Sequence, residues 1–134
     1  MGTVAQVSFS DYATSVAQAL DAIGAADRLP QDGLIILKPN LTNADPPPVT
    51  TPVDIVEAVL QYCRKCTDAE IAVGEGCGSG VTADAYEANG YVEMAARHGI
   101  RLLDFIGSST CRWLTGCWEE SRIEVWRGER GTFS

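Results

Sequence analysis

Strand-like and helix-like segments alternate along the first 106 residues, and this alternation constrains the fold more than any other feature of the sequence. Strands are predicted at 34–37, 70–74 and 101–105, and helical stripes of apolar residues precede and separate them over 12–23, 53–63 and 82–97. Strands joined by helices in this way are typical of parallel crossovers. The sequence therefore predicts an α/β fold with a mostly parallel sheet flanked by helices.

Local signals give finer expectations for several of these elements. The loose alternation of Val4–Phe9 predicts a first strand, and Ser10 is the expected cap of the helix that follows. The uninterrupted apolar run Leu34–Leu37 predicts a strand that is covered on both faces. Thr51 followed by Pro52 predicts the start of the second helix, with Thr51 at the N-cap position.

The charge balance excludes several classes of partner. Eighteen acidic side chains against ten basic ones give a net charge of -8, which repels nucleic-acid phosphates and anionic lipid headgroups. No apolar run approaches the roughly 20 residues that span a bilayer, and Met1–Ser10 lacks the features of a signal peptide. A soluble, cytoplasmic protein with no nucleic-acid or membrane partner is therefore expected.

Polar side chains at the ends of two predicted strands form the candidate ligand site. Lys38 ends an apolar strand, where its ammonium needs a partner, and open α/β sheets bind ligands at the carboxyl ends of their strands. If the first two strands are neighbours, Lys38 and Glu75 meet at one edge. The full set of candidate ligand-binding residues is Lys38, Asn40, Thr42, Thr50, Thr51, Glu75, Gly76, Gly78 and Ser79.

Two interpretations of Lys38 stay open on the sequence alone. In the functional one, Lys38 and Asn40 bind a small anionic or carbonyl ligand, Thr50 and Thr51 lead into a helix N-terminus whose amides favour negative charge, and Glu75 is an acid/base or an orienting group. In the structural one, Lys38 and Glu75 form an ion pair that closes the sheet edge. The sequence does not decide whether the protein is an enzyme, and it identifies no catalytic residue.

The glycine-rich run 74–80 follows a strand and precedes a helix, the context in which backbone amides bind phosphate groups. It departs from the dinucleotide-binding fingerprint, because Ser79 stands at the third glycine, and no Gly-Lys-Ser/Thr of a P-loop follows. Glu75 would also repel a phosphate. A small-ligand loop and a merely tight connection are both compatible with this run, and a nucleotide site has the least support.

Cysteine and histidine give little support for a metal or a nucleophile. Cys63 and Cys66 have CxxC spacing but lie at the end of a predicted helix, whereas catalytic dithiols begin one. Cys77 lies in the glycine-rich run without a visible base, and His98, the only histidine, is expected to cap a helix C-terminus. No metal site and no cofactor are therefore expected within this chain.

Several motifs occur in an order that resembles the N-terminal part of a known family. They are Leu-Ile-Ile-Leu-Lys-Pro-Asn-Leu-Thr (34–42), Pro-Pro-Val-Thr-Thr-Pro (47–52), Val-Gly-Glu-Gly (73–76), Asn-Gly-Tyr (89–91) and His-Gly-Ile-Arg-Leu-Leu-Asp (98–104). The family is domain of unknown function 362 (DUF362), and the resemblance covers roughly residues 30–106. It implies an uncharacterised domain, of which this chain is an incomplete copy, because longer members continue further.

The resemblance also suggests a second class of function. Many longer members carry a ferredoxin-type module, so a 4Fe-4S cluster is expected in those proteins and not in this chain. The alternative to a ligand site is then a non-catalytic module associated with an iron–sulfur protein or module. A third alternative is an inactive structural fragment.

Composition changes after residue 106. Residues 107–134 contain all three tryptophans and carry four basic and four acidic side chains, so the net charge of -8 belongs to residues 1–106. The expected organisation is an α/β domain over 1–106 and an atypical tail over 107–134. The tail is interpreted either as a terminal hairpin that packs on the sheet or as the product of a truncation or frameshift.

Overall fold

The structure is a computed structural model that describes residues 2–106 and the backbone of residues 124–126. Its elements, in chain order, are α1 (Tyr12–Ala22), a 3₁₀ turn (Ala26–Arg28), β1 (Leu34–Leu37), α2 (Val53–Cys66), β2 (Glu70–Glu75), α3 (Thr82–Ala88), α4 (Tyr91–His98), β3 (Arg101–Asp104) and β4 (Glu124–Trp126). Every predicted strand and helix between residues 12 and 105 is present, with bounds that shift by a few residues.

One sheet organises these elements. Its strand order is β1-β2-β3-β4, in which β1, β2 and β3 run parallel and β4 pairs with β3 in the antiparallel direction. The register places Leu37 opposite Val73, and Glu75 opposite Asp104. This arrangement confirms an α/β fold with a mostly parallel sheet and helices, whereas the incomplete domain stays a prediction.

The core lies between one face of the sheet and the helices that connect its strands. Val73 and Leu102 are paired across β2 and β3, and both belong to the same buried cluster as Leu60 of α2 and Met94 of α4. Burial of such side chains is the main source of stability, at roughly 25 cal/mol per Å² of apolar surface. The core therefore fixes α2 and α4 against β2 and β3 and leaves the strand ends free to carry polar groups.

Helix α1 packs on α2. The phenol of Tyr62 in α2 donates a hydrogen bond to the carboxylate of Asp21 in α1, at 2.7 Å. This hydrogen bond and the neighbouring negative charge raise the pKa of Tyr62 to about 12. A polar contact thus joins the two helices.

Three local expectations at the amino-terminal side are wrong. Val4–Phe9 forms no strand, because alternation alone supplies no neighbouring strand to bond with, and Val4 and Phe9 stay exposed. The cap of α1 is Asp11, whose carboxylate accepts from the backbone N–H of Thr14 at 2.8 Å. The run Leu34–Leu37 is an edge strand with an exposed first residue and half-buried others, so it is not covered on both faces.

The start of α2 also differs from expectation. The helix begins at Val53, its cap position is Pro52, and no side chain caps it. Thr51 was predicted at that position. Its hydroxyl accepts instead from the backbone N–H of Asn40, at 2.9 Å, so it stabilises the preceding loop and not the helix.

Glycine ends two helical segments where the sequence predicts a break. Gly90 separates α3 from α4 with a φ of 78°, and Gly99 follows α4 with a φ of 60°. Side chains disfavour this left-handed region, and glycine adopts it without steric cost. The chain can therefore turn twice within about ten residues and return to the sheet as β3.

Helices α2 and α4 are joined by a polar cluster around His98. Its Nε2 lies 2.5 Å from the carboxylate of Glu57, and its Nδ1 lies 3.3 Å from the guanidinium of Arg64. Because an arginine N–H can only donate, Nδ1 accepts and Nε2 donates to Glu57. One guanidinium nitrogen of Arg97 donates to both carboxylate oxygens of Glu57, and Arg64 also donates to the His98 carbonyl. His98 thus connects two helices, which goes beyond the expected capping.

The Glu57 carboxylate makes this cluster sensitive to pH. The hydrogen bond from His98, followed by that from Arg97, holds the pKa of Glu57 below its ordinary value of 4.5. A lowered pKa contributes stability above the unfolded value, and this contribution is lost as pH falls through the folded value. We expect Glu57→Gln to lower the free energy of unfolding by about 1 kcal/mol at pH 7, with the difference shrinking as pH falls below about 4.5.

Urea unfolding of both proteins between pH 7 and pH 3 measures this difference. The matched control is Glu87→Gln, an exposed carboxylate on α3, for which a change within about 0.5 kcal/mol is expected. A Glu57→Gln difference that stays constant over the whole range would contradict the role of the lowered pKa.

No helix in the described part of the chain is long and apolar enough to cross a bilayer. A cytoplasmic location stays a prediction. The predicted boundary at residue 106 also stays a prediction, since of residues 107–134 only the β4 backbone lies within the described part.

Candidate functional site

The carboxyl ends of β1, β2 and β3 place three charged side chains along one edge of the sheet. Lys38 follows β1 directly, Glu75 is the last residue of β2, and Asp104 is the last residue of β3. Glu75 and Asp104 are paired across the two strands, so their side chains leave the same face of the sheet. Parallel strands thus bring together residues that are far apart in the sequence.

Glu75 is the buried centre of this edge. Its side chain is 6% exposed, and its two oxygens accept from Lys38 Nζ at 2.8 Å, from the backbone N–H of Leu41 at 3.3 Å and from that of Gly76 at 2.7 Å. A buried carboxylate is stabilised by hydrogen-bond donors and by a countercharge, and Glu75 has both. Its oxygens are occupied by the protein itself.

Lys38 is the exposed partner of this pair. Its side chain is 60% exposed, and apart from Glu75 its ammonium contacts only the Pro39 carbonyl oxygen, at 3.4 Å, among the described residues. An ammonium has three N–H donors. One N–H donates to Glu75 and a second makes only the long contact to Pro39. At least one N–H of Lys38 therefore remains for a partner outside the described residues.

Two hydrogen bonds between Asn40 and Thr51 hold together the two ends of the loop that joins β1 and α2. The N–H of Thr51 donates to the carbonyl of Asn40 at 2.9 Å, and the N–H of Asn40 donates to the Thr51 hydroxyl at 2.9 Å. The Thr42 hydroxyl donates to the side-chain carbonyl of Asn40 at 3.2 Å. This bond orients the exposed Asn40 amide so that its NH₂ group points away from Thr42. The Thr51 hydroxyl, by contrast, is bonded within the loop.

The hydroxyl of Thr50 is buried and is bonded within the protein. It is placed between the Asp45 carbonyl, at 2.8 Å, and the side-chain oxygen of Asn89, at 2.9 Å. The Tyr91 phenol donates to the neighbouring Thr51 carbonyl at 2.8 Å. Thr50 therefore attaches the loop to the junction of α3 and α4.

Several backbone N–H groups of the glycine-rich loop already donate hydrogen bonds within the protein. The N–H of Gly76 donates to Glu75, that of Cys77 to the Thr82 hydroxyl at 3.2 Å, and that of Ser79 to the Thr42 carbonyl at 2.8 Å. These bonds tie the two loops together, so fewer amides remain for a phosphate than the sequence suggests. Gly78 and the side chain of Ser79 stay at the surface.

Two glycines of this region are needed for close packing. A β-carbon at Gly74 would lie 2.2 Å from the Phe105 ring, and one at Gly76 would lie 2.7 Å from Cγ1 of Ile106. Such distances are far below van der Waals contact. Glycine at these positions therefore lets the end of β3 lie across the end of β2, a role that requires no ligand.

Asp104 is a site residue that the sequence analysis missed. Its buried carboxylate accepts from the Thr82 hydroxyl at 2.9 Å and from the backbone N–H of Ile106 at 2.9 Å. It thus fixes the start of α3 beside the end of β3. A signal was present in the sequence, because Asp104 ends an apolar strand just as Glu75 does.

The cysteines of the described part do not fit an iron–sulfur cluster. Cys63 is buried on α2, where burial raises the pKa of its thiol, and Cys77 lies in the glycine-rich loop with its thiol 3.2 Å from the carbonyl oxygens of Thr42 and Ser79. A cluster needs four thiolates around one point. Within residues 2–106 no three His, Cys, Asp or Glu side chains are arranged to hold a metal ion. The absence of a cofactor stays a prediction for the whole chain.

A shallow open cleft lies near the C-terminal end of α2, away from Lys38. It is lined by Gln31 and by residues 64–68. None of the predicted site residues contributes to it.

Comparison with known proteins gives one match. The model of a family described as "Domain of unknown function (DUF362)" matches residues 35–124, from β1 to the first residue of β4. The match contains every candidate site residue, and it extends beyond the region of resemblance noted in the sequence. No curated protein and no solved structure is significantly similar to the chain.

Proposed function

The chain belongs to the DUF362 family, and from this premise we propose that Lys38 binds a small organic anion, or the carbonyl oxygen of a small ligand, at the carboxyl edge of the sheet. The observation that carries the proposal is the asymmetry of the Lys38–Glu75 pair. The carboxylate is buried and both of its oxygens accept hydrogen bonds from the protein, whereas the ammonium is 60% exposed. The bond to Glu75 fixes the position of the ammonium, and its exposed N–H donors can bind an oxygen atom of a ligand.

The alternative, an ion pair that only closes the sheet edge, accounts less well for this asymmetry. An exposed ammonium adds little to stability, since surface salt bridges contribute about 0–1 kcal/mol. The Leu41 and Gly76 amides already satisfy hydrogen bonds of Glu75. The position also matters, because open parallel sheets bind ligands at this edge.

Lys38 acts in this proposal as a donor and not as a nucleophile. A lysine nitrogen that donates to a carboxylate at 2.8 Å is an ammonium, which lacks the lone pair needed to attack a carbonyl carbon. Glu75 is then a positioning residue, because its oxygens are bonded to the protein and do not reach a ligand. Of the two roles considered for Glu75, the orienting one is favoured.

Two further donors belong to the loops that follow β1 and β2. One is the exposed NH₂ group of Asn40, two residues after Lys38, and the other is the hydroxyl of Ser79, whose backbone N–H donates to the Thr42 carbonyl of the first loop. An ammonium, an amide and a hydroxyl together favour a carboxylate over a metal ion, which would need oxygen acceptors.

A thermal-shift screen of the whole chain with small monocarboxylates, dicarboxylates and inorganic phosphate tests the proposal. A ligand at 100 times its Kd should stabilise the fold by about 2.7 kcal/mol, which corresponds to a rise in Tm of several degrees. Amide NMR spectra of a ¹⁵N-labelled sample then locate the site. We expect the largest shifts at 38–42 and 76–80.

Two outcomes would refute the proposal. One is a screen in which no anion at 10 mM, about the upper end of weak binding, changes the melting temperature. The other is a binding anion whose amide shifts concentrate at residues 64–68, the cleft near the end of α2.

A further inference from the structure

Exposed aliphatic side chains occur in the segments that follow the parallel strands. The structure describes six exposed large apolar side chains, and three of them follow the carboxyl ends of the strands: Val49 after β1, Val81 after β2 and Ile106 after β3, with exposed fractions of 48%, 54% and 60%. Single apolar residues on a surface are ordinary. Val81 and Ile106 adjoin residues that bond or pack at the ends of β2 and β3, whereas Val49 lies far along the loop after β1 and carries no part of the inference.

Two of these side chains belong to residues next to the ends of β2 and β3. Ile106 lies against Gly76, where an added β-carbon would be 2.7 Å from Ile106 Cγ1, and the Gly76 N–H is bonded to Glu75. The Asp104 carboxylate, on the strand partner of Glu75, accepts from both Ile106 N–H and the Thr82 hydroxyl, and Val81 precedes Thr82 in the chain. Exposed apolar side chains thus belong to the residues around the two carboxylates Glu75 and Asp104, and Glu75 pairs with the exposed ammonium of Lys38.

We propose that the ligand is an organic anion with an apolar body, whose anionic group binds Lys38 and whose hydrocarbon part covers Ile106 and Val81. This inference rests on the proposed function and narrows it to amphiphilic carboxylates. A cation alone would accept inorganic phosphate or acetate equally well. Each methylene removed from water adds about 0.8 kcal/mol, a factor of roughly four in affinity, so an apolar surface at the site selects longer acids.

The test is a titration series of unbranched acids from acetate through butyrate and hexanoate to octanoate, with inorganic phosphate for comparison. For the native sequence we expect affinity to rise by about two- to fourfold per methylene over at least four methylenes. Ile106→Ser should flatten this dependence most, and Val81→Thr, which nearly keeps the side-chain shape, should flatten it in part. Acetate should bind all three proteins alike.

The matched control is Leu34→Ser, an exposed aliphatic residue at the opposite end of β1, which should leave the chain-length dependence unchanged. Acids that bind through Lys38 with the same affinity at every length would overturn the inference and leave the proposed function intact. A dependence on length that survives in Ile106→Ser and Val81→Thr, or is lost equally in Leu34→Ser, would also overturn it. If no acid binds in a Lys38-dependent way, the proposed function itself fails.

Discussion

Glu75→Ala is expected to lower the free energy of unfolding by about 2–4 kcal/mol, the largest effect on stability of any single change at the site. The substitution removes the only side chain that accepts from the N–H of Leu41, a residue that is 1% exposed. A buried donor without an acceptor costs about 1–3 kcal/mol, and the loss of the Gly76 bond and of side-chain packing adds to this. Lys38 contributes little to the loss, because it can turn to water.

Glu70→Ala is the matched control for this change. Glu70 lies on the same strand and also pairs with a cation, Arg101, at 2.8 Å, but both side chains are largely exposed. We expect a loss below about 1 kcal/mol there. Equilibrium urea unfolding measures both variants. Equal losses for Glu75→Ala and Glu70→Ala would show that the buried bonds of Glu75 do not stabilise the edge.

The fold was predictable because its signals are local and repeated. Helical stripes, glycines at Gly90 and Gly99, and short apolar runs together specify the order of elements between residues 12 and 105. The position of a strand within the sheet is not a local property. The run Leu34–Leu37 correctly predicted a strand. The prediction that both faces of this strand are covered was wrong, because a central strand and an edge strand can have the same composition.

The site was predictable to the extent that it depends on strand ends. Lys38 and Glu75 meet because both lie at the carboxyl ends of neighbouring parallel strands, and this geometry can be inferred from the sequence. The loop residues could not be placed in the same way. Thr50, Thr51 and the amide of Ser79 satisfy internal hydrogen bonds, and the choice between an internal partner and a ligand depends on loop conformation, which residue types do not encode.

Lys38→Ala is expected to weaken binding of the anion found in the screen by about 30- to 700-fold, which corresponds to 2–4 kcal/mol. The bound anion would cover the ammonium, so the charge-assisted hydrogen bond would form in a site shielded from water. The stability of the ligand-free protein should change by less than about 1 kcal/mol, because Lys38 is 60% exposed and the amides of Leu41 and Gly76 still donate to Glu75. Lys65→Ala, which removes a lysine from the end of α2, is the control and should leave affinity unchanged.

The measurement that tests the central claim most directly is a calorimetric titration of that anion into the native chain, Lys38→Ala and Lys65→Ala, with the melting temperature of each ligand-free protein recorded in parallel. Binding that is lost in Lys38→Ala, kept in Lys65→Ala and accompanied by a nearly unchanged melting temperature is the result expected of a ligand site. A melting temperature that falls by many degrees in Lys38→Ala, with equal affinity of the anion for all three proteins, would contradict it. Lys38 would then be a structural partner of Glu75 alone.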